Sequence, residues 1–303
     1  MKSESFAVAP EFYHHDVTIS ASELDEISTL LIEGQGYRDN WLPLKGDRPS
    51  GFDHPEGNVD NERLTSHSAD VNTLEKVRRE LKKLLSDSKV QVVLSTSVDY
   101  PHRLRDLDGR PALLFVRGDM GDSKTPTLAV VGSRRASDDG IKAAHLLASS
   151  AASAGFMIVS GLAVGIDSAS HRGALDSDGQ TIAVLGTGLG KVYPIENRGL
   201  DLRIARRGAL VTQFPPMQSP TKTSFPSRNV LIAGLSDATL VVEMSEHSGT
   251  RIEVNCAIAQ GRRVFLWAPI LGSEEWACQF AEHPQVTFVK NEDELLVELS
   301  ATN

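Results

Sequence analysis

The stretch SGLAVGIDSASHRGAL, residues 160–175, follows an apolar run (156–159) and sets two glycines four residues apart before an Asp and, four residues on, a His. A short apolar run that ends in glycine and passes into a helical pattern reads as a buried strand entering a helix. Gly161 and Gly165 let the backbone pass close to a ligand, and free amides at a helix start suit a phosphate oxygen. No Lys followed by Ser or Thr is present, so this is not a Walker P-loop. Taken alone, the stretch reads better as a tight strand–helix turn without a ligand. Asp167 and His171 are spaced i, i+4 and share a helix face. A nucleophilic triad needs a Ser or Cys in reach, and the sequence places none there. The expected roles are an Asp167 that binds loop amides at the helix start and a His171 that packs beside it.

Outward from this stretch the same rhythm repeats. From about residue 90, short β-rich runs alternate with helical ones: VQVVLS, ALLFVRG, TLAVVG, FMIVSG, TIAVLG, ALVTQ, ATLVVEM and RVFLWAP. Most are continuously apolar, as strands covered on both faces must be. Helices are expected at about 137–154, 165–178, 196–208, 226–235 and 248–260, which predicts an α/β fold with a doubly wound, mostly parallel sheet. The first of these helices has clear ends. Ser137 caps it, Asp138 and Asp139 suit its positive N-terminal end, and Gly155 closes it.

Residues 1–90 have another texture, a small helical and loop-rich region before an α/β domain at 91–303. SASELDEISTLLIEG carries helix start and stop signals, and GDRPSGFDHPEGNVDNE reads as a long loop. DVNTLEKVRRELKKLLSDS is an amphipathic helix through Leu74, Val77, Leu81 and Leu84 or Leu85, its Lys/Arg run a solvated face. The net charge of −9 argues mildly against nucleic acid. Its distribution weakens that argument, because residues 1–90 carry 11 Lys+Arg against 17 Asp+Glu while 124–270 carry more basic than acidic side chains. Two cysteines, Cys256 and Cys278, are too few for a disulfide framework or a zinc site. No apolar run approaches a membrane span and no secretory signal is evident. A reduced, cytoplasmic protein that requires no cofactor and no metal is expected.

In such a sheet, ligands bind at the carboxyl ends of the strands. Five loops fall there: GSRRAS (132–137), SGLAVGID (160–167), GTGLGKVYP (186–194), PTKTSFPSRN (220–229) and SEHSGTR (245–251). Each joins a strand end to glycine, hydroxyl or basic residues. GTGLGK lacks the G-x-G-x-x-G spacing, and VYP stands where a helix should begin, which argues against nicotinamide or flavin. Arg134, Lys191 and Arg228 fall on three of these loops, Arg suited to bidentate phosphate contact and Lys to a movable point charge. NRGLDLRIARRG adds Arg198, Arg203, Arg206 and Arg207 on several sides of a helix, part of it for solubility.

These motifs, in this order, resemble the DNA-processing DprA/Smf family, within a superfamily shared with the lonely-guy phosphoribohydrolases. VVGSR, SGLAVGIDSASHRGAL, TIAVLGTGLGKVYPIEN, FPSRN, IAGLSDATLVVEMSEHSGT and GRRVF carry the resemblance. It departs from the family pattern at Val230, at TQFPP and at WAPI. The resemblance implies an extended Rossmann-like domain that binds single-stranded DNA and delivers it to a RecA-type recombinase in recombination or DNA uptake, with a homodimer as a further candidate assembly. The nucleic-acid or phosphate contacts would be Gly132, Ser133 and Arg134; Ser160, Gly161, Gly165 and Asp167; Lys191; Phe225, Arg228 and Asn229; and Ser248, Gly249 and Thr250. No residue is assigned to catalysis in this reading. The alternative is a nucleotide-binding sensor or phosphoribohydrolase-like enzyme acting on nucleoside monophosphates, possible also within a defence system. There Gly249, Thr250 and Glu253 stand at G-T-x-x-E spacing, with Glu253 the acid/base. Glu253 otherwise reads as a helix N-terminal acid favoured by the dipole.

Overall fold

Nine strands line up in one sheet of the computed structural model, which describes Ser22, Leu24, Ile27, Ser28, Leu31 and residues 71–301 apart from 88, 108, 109, 192, 222, 246 and 247. They are β1 (Val90–Leu94), β2 (Leu113–Gly118), β3 (Thr127–Gly132), β4 (Met157–Ser160), β5 (Thr181–Val184), β6 (Ala209–Thr212), β7 (Ala238–Glu243), β8 (Arg263–Trp267) and β9 (Val286–Val289). Their order across the sheet is β1-β2-β6-β5-β4-β3-β7-β8-β9. β1, β2 and β6 pair antiparallel, and the pairings from β6 through to β9 are parallel. Eight strands fall where the apolar runs place them. The ninth, VTFV, is a half-buried edge strand paired on one side only, which the reading of apolar runs misses.

The helices within the described residues are α1 (Val71–Leu85), α2 (His102–Arg105), α3 (Asp138–Ser153), α4 (Ile166–Asp176), α5 (Leu200–Arg207), α6 (Ser224–Gly234), α7 (Thr250–Ala259), α8 (Ala268–Leu271), α9 (Glu275–Phe280) and α10 (Glu292–Ser300). Continuous apolarity in the strands serves two cores at once. In β3, Leu128 and Val130 pack with Leu147 of α3 and Ile166 of α4, while Ala129 and Val131 pack with Leu231 of α6 and Val254 of α7. Adjacent strands β3 and β7 thus send their following helices, α3 and α7, to opposite faces. That is the topological switch point, where such sheets open a crevice.

The cap of α3 is as the sequence predicts: the Ser137 hydroxyl accepts the Gly140 amide at 3.0 Å, Asp138 and Asp139 lie in the first turn, and Gly155 follows at φ +93°. The helix expected over 196–208 is two pieces. A 3-10 turn (Ile195–Asn197) ends before Gly199 at φ +98°, whose amide is taken up by the Asp201 carboxylate at 2.7 Å as α5 begins. The amphipathic reading of α1 is seen in buried Leu81 and Leu84. With Leu24 and Ile27 they share a cluster with Leu113, Phe115 and Ile204, so packing crosses the change of composition near residue 90. The long loop read at 46–62 lies outside the described residues.

Candidate nucleic-acid interface

The loops after β3 and β4 meet at the switch point. Gly165 opens α4 at φ +84°, and a Cβ there would lie 2.3 Å from the Ser133 carbonyl, so only glycine lets the two loops close. The Ile166 amide donates to that same carbonyl at 3.2 Å. Leu162 is held at φ 57°, a conformation that side chains other than glycine seldom adopt, and its carbonyl accepts from buried Asn197 at 2.9 Å. On the other side of β3, Glu243 at the end of β7 accepts the Ser137 amide at 3.0 Å and its hydroxyl at 2.5 Å. Backbone contacts thus close the loops of this edge, while Arg134 and Arg135 stay exposed on it.

Arg228 was expected on a loop. It lies inside α6, 4% exposed, because its guanidinium turns down into the space that a side chain at 161 would fill. A Cβ at Gly161 would sit 1.2 Å from Arg228 Nη1. That nitrogen is 3.6 Å from the Asp167 carboxylate and donates to the Val184 carbonyl at 3.4 Å. Glu253, in the first turn of α7, is likewise 4% exposed, and its Oε1 has no hydrogen-bond partner. Burial raises the pKa of Asp167 despite the pull of Arg228 and the Ala163 amide, which donates to it at 3.3 Å. Burial, then the neighbouring Asp167 charge, lifts Glu253 well above the ordinary carboxylate range, with Arg228 opposing. Burial also lowers Arg228, against the stabilising charges of Asp167 and Glu253. Two carboxyls thus share one guanidinium beneath the glycine floor, and low dielectric favours holding a proton there.

His171 stands apart from that trio's hydrogen bonds. Its Nδ1 is 2.7 Å from the Thr181 hydroxyl, its Nε2 has no partner, and burial depresses its pKa to about 3, so it packs as a neutral ring. Among the described residues no cluster of His, Cys, Asp and Glu could hold a metal. No described helix is long and apolar enough to cross a membrane.

Above the buried trio lies a small depression of about 50 Å³, bordered by Arg134, Gly161, Gly186, Thr187, Tyr193 and Phe225. Phe225 is its aromatic wall. The exposed Arg134 guanidinium lies 4.6 Å over its ring centroid, and a Cβ at Gly186 would meet the ring at 2.9 Å. Lys191, half-buried, borders a neighbouring depression with Arg117 and Tyr193. Ser248, Gly249 and Thr250 form the start of α7, where Asn229 donates to the Gly249 carbonyl at 3.3 Å. Ser133 receives the Arg135 amide on its hydroxyl at 3.1 Å, Ser160 donates inward to Val130 at 2.7 Å, and Gly132 abuts the Glu243 carbonyl. Around the depression the structure gathers Arg134, Gly161 and Phe225. Asp167, Arg228, Asn229 and Ser160 lie beneath the surface rather than on it. Tyr193 and Asn197 went unnoticed in sequence. The aromatic in VYP, directly after a glycine-rich strand exit, was the available signal.

A Rossmann-like α/β protein with glycine-rich loops and an Arg–aromatic pair at its switch point is the class that this geometry defines. The chain belongs to the DNA recombination-mediator protein A family, whose model matches residues 91–300. It is 36% identical to Protein Smf of Synechocystis over 209 residues, 67% of this chain and 52% of that protein. It is 40% identical to DNA processing protein DprA of Streptococcus pneumoniae over 55% of this chain and 58% of the relative. The chain thus spans somewhat over half the length of these relatives. The crystal structure of the S. pneumoniae protein superposes with a TM-score of 0.65 at 32% identity, covering 75% of this chain and 80% of that one. DNA processing protein A of Helicobacter pylori, solved to explain its single-stranded DNA binding mode, shares the fold with a TM-score of 0.62 at 24% identity over 70% of this chain and 96% of that one.

Proposed function

We propose that residues 91–303 bind single-stranded DNA along the carboxyl edge of the sheet, without catalysis, and hand the strand to a RecA-type recombinase in recombination or DNA uptake. The observation that carries this reading is the exposed Arg134 guanidinium held over Phe225 beside loops of glycine amides. A fixed cation next to an aromatic face is the pairing that tracks a phosphate backbone while leaving room for bases. The family's relatives named for DNA processing support the same reading.

The nucleoside-monophosphate reading draws on one feature, the buried Glu253 with its raised pKa, a pattern also found in general acids. Its placement argues the other way. A general acid must reach the proton that it transfers, and Glu253 lies beneath the glycine floor rather than on it. The depression of about 50 Å³ is also far below the roughly 300–1,000 Å³ of small-molecule sites.

A salt-titrated binding assay on an oligothymidine, with a nucleoside monophosphate as competitor, tests the assignment. Log affinity should fall linearly with log salt, the monophosphate should not compete, and no free base should appear. Release of base from the monophosphate, or failure to bind the oligonucleotide at low salt, overturns it. Recombinase delivery is tested separately, by whether the protein speeds filament assembly on a strand already coated by single-strand-binding protein.

A further inference from the structure

We propose that Tyr193 is a stacking platform for one unpaired base of the bound strand. This rests on the single-strand reading above, and adds a base contact to a site so far built from charge and glycine amides.

Tyr193 borders both depressions on this edge, one shared with Arg134 and Phe225, the other with Lys191 and Arg117. A backbone that runs from Arg134 to Lys191 therefore crosses its ring. The ring is 45% exposed, although an aromatic of this size ordinarily gains by burial. One side of it is already engaged, its centroid 5.9 Å from that of Phe225 at an interplanar angle of 48°. At that spacing the rings touch, and no base fits between them.

Phe225 is in turn occupied by Arg134 over its face and by the Gly186 backbone at its edge. It serves as the support, and Tyr193 beside it stays partly exposed. The loop that bears Tyr193 is pinned rather than free: the Gly188 amide donates to the Gln218 carbonyl at 3.0 Å and the Gly190 amide to Pro216 at 2.9 Å. Those bonds also bring Met217, 43% exposed, against Gly190, and extend the apolar rim. A half-exposed ring between two cations fits an unpaired nucleobase of any type, since every base has a π-face. Duplex bases are already stacked on both faces, so the same platform discriminates against double strands.

The test compares an oligothymidine with an abasic oligomer of equal length and charge, for the wild type, Tyr193→Phe and Tyr193→Ala. The wild type should prefer the oligothymidine, and Tyr193→Phe should keep that preference. Tyr193→Ala should lose about fivefold or more on the oligothymidine and nothing on the abasic strand. Equal loss on both strands, or no loss on either, overturns the platform while leaving backbone binding intact. A wild type that binds neither strand removes the single-strand reading itself, and the platform with it.

Discussion

Two arginine–aspartate pairs lie at opposite ends of the parallel strands, and they are built differently. At the amino edge, Arg103 of α2 grips Asp237 through two bonds of 2.7 Å, and its remaining donors reach the carbonyls of Thr125 at 2.9 Å and Ser123 at 3.2 Å. Asp237 also takes the Thr127 amide at 2.8 Å and its hydroxyl at 3.0 Å. At the carboxyl edge, Arg228 stands 3.6 Å from Asp167, its Nε lacks a partner, and a second buried carboxyl, Glu253, adds an unsatisfied oxygen. Burial favours neutral Asp237 as it does Asp167, but at Asp237 the Arg103 bonds and the Thr127 amide outweigh it and the pKa falls. The amino-edge pair is a clasp with its hydrogen bonds made. The carboxyl-edge trio is under-satisfied, and it lies directly beneath the proposed groove. Buried polar groups left unpaired cost stability, and the trio keeps two of them there, Arg228 Nε and Glu253 Oε1.

The largest effect that tests this contrast is Arg228→Ala. It leaves two buried carboxyls with no guanidinium, and should cost about 3–5 kcal/mol in urea unfolding at pH 8. The loss should shrink at pH 4, where Asp167 and Glu253 can take up protons instead of staying charged. A loss independent of pH would show that the trio's charges do not matter, and that Arg228 acts through packing alone.

Arg103→Ala should cost less, about 2 kcal/mol, because that pair is partly reached by solvent. Here the sign of the pH dependence follows from the lowered pKa of Asp237. The clasp's contribution is present above the unfolded carboxylate pKa of 3.8 and is lost as pH falls through the lower folded value. DNA affinity per folded molecule should not change, since the clasp is at the far edge. A drop in affinity would mean that the two edges communicate.

Arg134→Ala reverses the pattern. Stability should stay within about 0.5 kcal/mol, as at an ordinary surface site. Affinity for single strands should fall about tenfold whatever the sequence, with a log–log salt slope shallower by about one. An unchanged slope would move the backbone contact off this loop.

How much of this was legible in sequence depends on what each residue's partner is. Strand runs such as TLAVVG declare themselves, because both faces are covered and every position is apolar. The Ser137 cap depends on backbone within a few residues and was readable for that reason, and Gly165 was readable from its place at a helix start, although the carbonyl it must clear, that of Ser133, is far away in sequence. Arg228 was not. An arginine in FPSRN has surface as its ordinary place, and the reason for its burial lies 67 residues away, in the missing side chain of Gly161. Glu253 shows the same limit: its position in a first helical turn was plain, but its neighbours Asp167 and Arg228 come from two other helices. The break at Gly199 was missed for the opposite reason, as a local signal too weak to interrupt a pattern.

The smallest predicted effect separates the trio's electrostatics from the groove's. Glu253 ionises near 4.5 in the unfolded chain, whereas its folded pKa lies well above that. Between the two values the native state holds a proton that the unfolded state has released, so stability falls as pH rises through this interval. His171 works in the opposite sense, since its pKa of about 3 in the fold lies below 6.5, and its contribution is lost as pH falls below 6.5. Glu253→Gln removes the first dependence and leaves the second. The variant should match the wild type at about pH 4 and exceed it at pH 8, because Gln keeps the shape of the neutral carboxyl and has no proton to lose. Affinity for single strands should be unchanged or slightly higher, since no phosphate contact is lost and any residual negative charge beneath the groove is removed. A variant less stable than the wild type at pH 8 would show that Glu253 is ionised in the fold and paired to Arg228. Lost strand binding with stability intact would instead place Glu253 on the ligand, and bring the carboxyl edge back to the enzyme reading.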